Sequence, residues 1–202
     1  MKNYLIFTFI LISCFANAQN KESVRSAFVK SYSFEANKQY QKASDELEQV
    51  YNVDSYELNL RLGWLKYSAG SYNDAISYYQ KAIGLQTSSI EARLGIVYPL
   101  SVQNKWDEVL AQYQAILKID SKNSLVNYRT ALIYYNRKNY EEAKKHLDVV
   151  LQLYPFDFDS NVLQGWTQLA LLKKSDASIN FERALLYNPQ DTSAMNGLQM
   201  CK

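Results

Sequence analysis

The sequence predicts an all-α fold: an α-solenoid of about five helix-turn-helix repeats, ended by a short C-terminal capping helix. Three observations carry this. Tyr72, Ala75, Ile76, Tyr79, Ala82 and Ile83 share one stripe of a helix with about 3.6 residues per turn, and Asn73, Asp74, Ser77, Gln80 and Lys81 fall opposite. The segment before it has two apolar faces, Leu58, Leu62 and Leu65 on one and Leu60, Trp64 and Tyr67 on the other, followed by a Gly70-Ser71 turn. The same punctuation then returns at a fixed step. Aromatic residues open the second helices at Tyr40, Tyr72, Trp106 and Tyr140. Three positions later stand Ala43, Ala75, Val109, Ala143 and, in the fifth unit, Ala177, separated by 32, 34, 34 and 34 residues.

A period of about 34 residues with helix–turn–helix content resembles the tetratricopeptide repeat family. The family's small residue in the first helix is met by Ser31, Gly63, Ala131 and Gly165. Its bulky residue in the second helix is met by Leu47, Tyr79, Tyr113, Leu147 and Phe181, and its small or aliphatic residue one turn later by Val50, Ala82, Ile116, Val150 and Ala184. Pro155 and Pro189 end units as the family's proline does. Val97, Lys174, Thr87 and Ser121 depart from the pattern. The resemblance covers nearly all of the chain after the first twenty residues. It implies a right-handed solenoid whose first helices line an inner, concave surface.

Taken in order, residues 1–18 read as a secretory signal peptide. Lys2 supplies a positive start, Tyr4 to Ser13 an apolar run too short to span a bilayer, and Ala16-Asn17-Ala18 an A-x-A cleavage site. A minority reading takes Leu11-Ile12-Ser13-Cys14 as a lipobox, with a lipid anchor at Cys14 and an outer-membrane lipoprotein as the product. Either reading exports the protein, the first to a bacterial periplasm. Residues 19–202 then form one solenoid domain, with repeats at about 24–55, 56–89, 90–123, 124–157 and 158–191 and a cap over 192–202.

The first repeat is expected to hold helices over Val24–Asn37 and Tyr40–Tyr51. Asp54 or Ser55, then Ser88-Ser89, and the acids Asp157 and Asp159 stand where first helices begin and suit capping. Pro99 lies inside the first helix of the third repeat, where it removes a backbone donor and crowds the carbonyl of Gly95, a residue that bends away more easily than most. A kink is expected there, and two readings of it stay open, a distorted but continuous helix or a groove locally re-aimed at the middle of the array. The turn Leu172-Lys173-Lys174-Ser175 lacks the usual glycine and aromatic, and Thr192–Met200 forms the cap.

Composition narrows the function. The 202 residues hold 22 Lys plus Arg against 20 Asp plus Glu, without the basic surplus of a nucleic-acid binder. No later stretch is apolar for long enough to form a transmembrane helix. The chain has one histidine, His146, placed beside Lys144 and Lys145 on a face expected to be solvated. No metal-ligand spacing and no glycine-rich phosphate loop occurs, so neither catalysis, metal nor cofactor is expected. With Cys14 removed or lipidated, Cys201 stands unpaired near the C-terminus.

What remains is binding. Tyr32, Trp64, Tyr98, Leu132 and Trp166 occupy one repeat position on the second apolar face of the first helices. Phe28, Leu60, Leu94, Tyr128 and Val162 lie near it, as do Tyr67, Tyr135 and Leu169. Arg25, Arg61, Arg129, Glu57 and Glu91 flank the row. The candidate groove residues are Phe28, Tyr32, Leu60, Arg61, Trp64, Tyr67, Tyr98, Tyr128, Arg129, Leu132, Tyr135 and Trp166. Exposed, such rings suit a protein or peptide partner of the cell envelope, or stack the sugars of a cell-wall oligosaccharide. Buried, they fill the solenoid's own interior. The lysine–asparagine clamp that some relatives use for a C-terminal carboxylate is not matched.

Overall fold

The computed structural model describes residues 21–202, and all regular structure among them is helical. The signal peptide expected over residues 1–18, with cleavage after Ala18 or a lipid anchor at Cys14, lies outside the described residues. Helix α1 occupies 21–36. It is followed by α2 Tyr40–Glu48, α3 Tyr56–Ser68, α4 Tyr72–Leu85, α5 Ile90–Val102 and α6 Trp106–Ile119. The chain continues with α7 Ser124–Asn136, α8 Tyr140–Leu153, α9 Phe158–Ala170, α10 Lys174–Tyr187 and α11 Thr192–Cys201. The chain groups into two compact units, the first reaching to Lys105 and the second starting at Trp106. The first therefore holds α1–α5 and the second α6–α11.

The repeat is written into both ends of the first helices. Ser55, Ser89, Asn123, Asp157 and Asp191 stand 34 residues apart. Each accepts a hydrogen bond from the backbone N–H three residues on, that of Leu58, Ala92, Val126, Ser160 and Ala194 in turn. One otherwise orphaned donor is satisfied at every start. At the other end, the turn into the second helix places Lys38, Gly70, Asn104, Lys138 and Leu172 at positive φ, between 57° and 84°. Only Gly70 meets that backbone without a Cβ penalty.

A second device sits one turn inside the caps. Asn59, Asn127 and Asn161 are buried, and each donates through Nδ2 to the carbonyls four and six residues before it, at 2.7 to 3.0 Å. The incoming loop is thereby tied to the helix it feeds. Arg93 takes the same position in α5 and reaches the carbonyl of Thr87, also six residues back, at 2.9 Å.

In the first unit, Ala27, Ala43, Leu47, Leu58, Leu62 and Leu65 form a core shared by α1, α2 and α3. Helix α4 packs between α3 and α5 and drives Tyr79 into both. A Cβ added at Gly63 would lie 2.9 Å from that ring, and one at Gly95 only 2.3 Å. The second unit repeats the arrangement with Phe181 of α10. Added Cβ atoms at Gly165 of α9 and Gly197 of α11 would come within 2.6 and 2.3 Å of it.

Three expectations change. Helix α2 ends at Glu48 rather than Tyr51, and a turn carries Gln49 and Val50. Helix α5 runs through the buried Pro99 as one element, and Gly95, read from sequence as relief for that proline, instead clears space for Tyr79. His146 is half-buried rather than solvated. Its Nδ1 lies 2.8 Å from Asn127 Oδ1 and its ring stacks on Tyr134 at 5.8 Å. Burial holds its pKa below the ordinary 6.5, a shift that Glu142 opposes and Lys145 aids.

Candidate functional site

The first helices of the first unit line a groove of about 1030 Å³. Phe28 and Tyr32 come from α1, Tyr56, Glu57, Leu60, Arg61 and Trp64 from α3, and Ile90, Glu91, Leu94, Gly95 and Tyr98 from α5. Gln86 closes one side and Tyr79 reaches the floor. Three of the aromatic rings are open to solvent: Tyr32 is 54%, Trp64 38% and Tyr98 53% exposed. They are additional to a complete packing face, since Leu58, Leu62 and Leu65 on the other side of α3 are buried.

The rings hold one another in place. Trp64 meets Tyr98 edge-on at 6.5 Å, and Tyr67 lies 5.8 Å from Trp64 and 5.6 Å from Tyr98. Tyr67 thus buttresses the groove without lining it. At the α1 end the Arg61 guanidinium sits 4.1 Å from the centre of the Tyr32 ring and donates through Nη2 to Glu35 Oε2. The other oxygen of Glu35 accepts the indole N–H of Trp64 at 2.5 Å. Burial works to raise the Glu35 carboxyl, but the bonds from Arg61 and Trp64 and the Arg61 charge outweigh it, and the pKa lies below its usual value.

On the far wall the Tyr56 hydroxyl lies 2.7 Å from Ser89 Oγ and donates to Glu91 Oε2 at 3.4 Å. Burial, and then the charges of Glu91 and Glu57, raise its pKa. Tyr79 is only 3% exposed, and among the described residues its hydroxyl finds no hydrogen-bond partner. Burial pushes this phenol well above its ordinary range, so it stays neutral.

Of the twelve residues named from sequence, Phe28, Tyr32, Leu60, Arg61, Trp64 and Tyr98 line this groove, and Tyr67 supports it. The other five belong to the second unit. There Tyr128, Leu132 and Tyr135 pack on Ala131, Leu147 and Leu163, and Arg129 is exposed. Trp166 is half-buried, edge-on to Phe181 at 5.3 Å, and donates its indole N–H to Ser193 Oγ at 2.9 Å. Sequence reasoning missed Glu35, the residue that orders the α1 end. The signal was present: stepping the Tyr67 position back by 32 residues lands on it.

No group of three or more His, Cys, Asp or Glu side chains stands at metal-binding distance among the described residues. No described helix is long and apolar enough to cross a membrane.

The chain resembles known proteins at two levels. In sequence, 97 residues are 34% identical to the human protein O-mannosyl-transferase TMTC1, which covers 48% of this chain and 11% of that protein. In structure, a tetratricopeptide repeat protein from Parabacteroides merdae superposes with a TM-score of 0.76 at 18% identity, over 89% of this chain and 72% of that one. YrrB, described as a tetratricopeptide repeat protein with an unusual peptide-binding site, superposes with a TM-score of 0.73 at 13% identity, over 92% of this chain and 97% of its own. Models of the tetratricopeptide repeat match residues 56–88, which are α3 and α4, and residues 124–157, which hold α7 and α8. With these matches on two of its hairpins and that fold around them, the chain is a tetratricopeptide repeat protein.

Proposed function

We propose that this protein is a non-enzymatic scaffold, exported to the cell envelope, that holds a peptide segment of a partner across the aromatic groove of its first unit. One observation carries the reading: Tyr32, Trp64 and Tyr98 stand open on helices whose packing face is already complete. Rings of this kind offer large contact area at low ordering cost. The peptide-binding site of the structural neighbour YrrB supports a peptide as occupant. Export rests on the A-x-A site at Ala16-Asn17-Ala18.

The test is a photo-crosslinking amino acid placed at Tyr98 in cells of the source organism, with the same label at Leu172 as control. A crosslinked envelope protein should appear at Tyr98 alone, and the purified partner should lose about tenfold or more in affinity for Trp64→Ala. Equal labelling at both positions overturns the groove. A shift of tryptophan fluorescence by cell-wall oligosaccharide, with no protein crosslinked at Tyr98, replaces the peptide by a glycan.

A further inference from the structure

We propose that the segment held in this groove presents a basic side chain, which lies over the Trp64 and Tyr98 rings between the carboxylates of Glu57 and Glu91. The proposal rests on the groove reading above and adds the chemistry of its occupant.

Charge decides it. Among the described residues the one cation lining the groove is Arg61, and its charge is already paired: Glu35 accepts from its Nη2 and the Tyr32 ring lies against its face, while its Nε is buried without a hydrogen-bond partner. Glu35 itself has both oxygens occupied, by Arg61 and by the Trp64 indole. Glu57 and Glu91 differ. Both are exposed and both line the groove, and among the described residues neither has a cationic partner within ion-pair distance. Glu57 accepts only from Ser55 Oγ at 3.0 Å and Glu91 from Tyr56 at 3.4 Å. Arg25, which holds the same repeat position in α1, does not line the groove. The free charge on the wall is therefore negative.

The rings agree with the charge. A cation is attracted to the face of an indole or phenol, and the Arg61–Tyr32 contact shows the mode already in use here. The floor adds a third group. The hydroxyl of Tyr79, without a hydrogen bond among the described residues on a side chain only 3% exposed, belongs to the groove lining, its ring seated in the space that Gly95 leaves. Being neutral, it can accept from an ammonium or guanidinium N–H. An acidic segment would meet Glu57 and Glu91 with Arg61 already engaged, so the wall selects against it.

The test is selection of random dodecapeptides displayed on phage against the full chain, keeping clones that lose binding to Trp64→Ala/Tyr98→Ala. Those clones should carry Lys plus Arg over Asp plus Glu by about fivefold relative to the starting library. The same selection on Glu57→Gln/Glu91→Gln should lose that bias, with thermal unfolding unchanged. Groove-dependent clones without a basic bias, or with a bias that survives the Gln pair, overturn this proposal and leave the groove standing. If no clone depends on Trp64 and Tyr98, the groove reading fails and this one with it.

Discussion

A β-carbon added at Gly95 would lie 2.3 Å from Cε1 of the Tyr79 ring. The ring occupies the volume that α5 leaves empty, and Gly63 of α3 is notched against its other edge at 2.9 Å. Gly95→Ala should therefore destabilise the protein by about 1–3 kcal/mol, the usual penalty for overpacking. Gly63→Ala should cost less. A double-mutant cycle of Gly95→Ala with Tyr79→Leu, read by urea denaturation, should show coupling of about 1 kcal/mol or more, since the smaller side chain relieves the clash.

Leu172 holds φ at 61° with nothing to gain from its side chain, which is exposed. A left-handed backbone costs an L-residue about 1–2 kcal/mol. Leu172→Gly should raise stability by about 0.5–1 kcal/mol, the remainder being lost to the freer unfolded chain. A fall in the denaturation midpoint would contradict this.

Asn127 directs both Nδ2 hydrogens to the carbonyls of Ser121 and Asn123, so its Oδ1 is the atom that faces His146. Asn127→Ala should cost about 1–3 kcal/mol by leaving buried acceptors unmet. Asn127→Asp should not rescue it, because a carboxylate supplies no donor.

The same bond sets the tautomer of His146. Because Asn127 Oδ1 accepts, the imidazole donates from Nδ1, and Nε2 is the nitrogen that titrates. Its folded pKa lies below the 6.5 of the free side chain. Above that pH both states carry a neutral ring and the full contribution is present. As pH falls through 6.5 the unfolded chain takes the proton first, and stability drops until the folded pKa is passed. Urea midpoints between about pH 7.5 and about pH 5 should show this slope, and His146→Asn should flatten it. Proton NMR of the single histidine should place its titration below 6.5.

The two tryptophans at one repeat position should behave differently. Trp64 is the more open, and Trp64→Ala should cost about 1–2 kcal/mol, chiefly the indole bond to Glu35 and the ring contacts with Tyr67 and Tyr98. Trp166 packs edge-on against Phe181 and bonds Ser193, so Trp166→Ala should cost about 2–4 kcal/mol.

That contrast marks what the chain discloses before folding. Apolar spacing and the 34-residue recurrence were enough to expect a series of helical hairpins, because α3, α5, α7, α9 and α11 each begin on the same kind of side-chain cap. The second apolar face was legible too. Whether its rings face water was not, since Trp64 and Trp166 share a repeat position and differ only in what stands near them, Glu35 in one case and Ser193 in the other. Glu35 was hidden because it replaces an aromatic in the register, and a pattern search passes over the odd member. His146 was misplaced because its two lysine neighbours suggested water, whereas its partner Asn127 lies 19 residues away.

The side-chain caps at Ser55, Ser89, Asn123, Asp157 and Asp191 stand at one interval and do one job. A deletion of a few residues inside a hairpin moves a cap out of step with its helix, while excision of a whole interval joins one cap to the next helix as if nothing had been removed. The length of this molecule is therefore quantised, and natural variants should differ from it by whole hairpins.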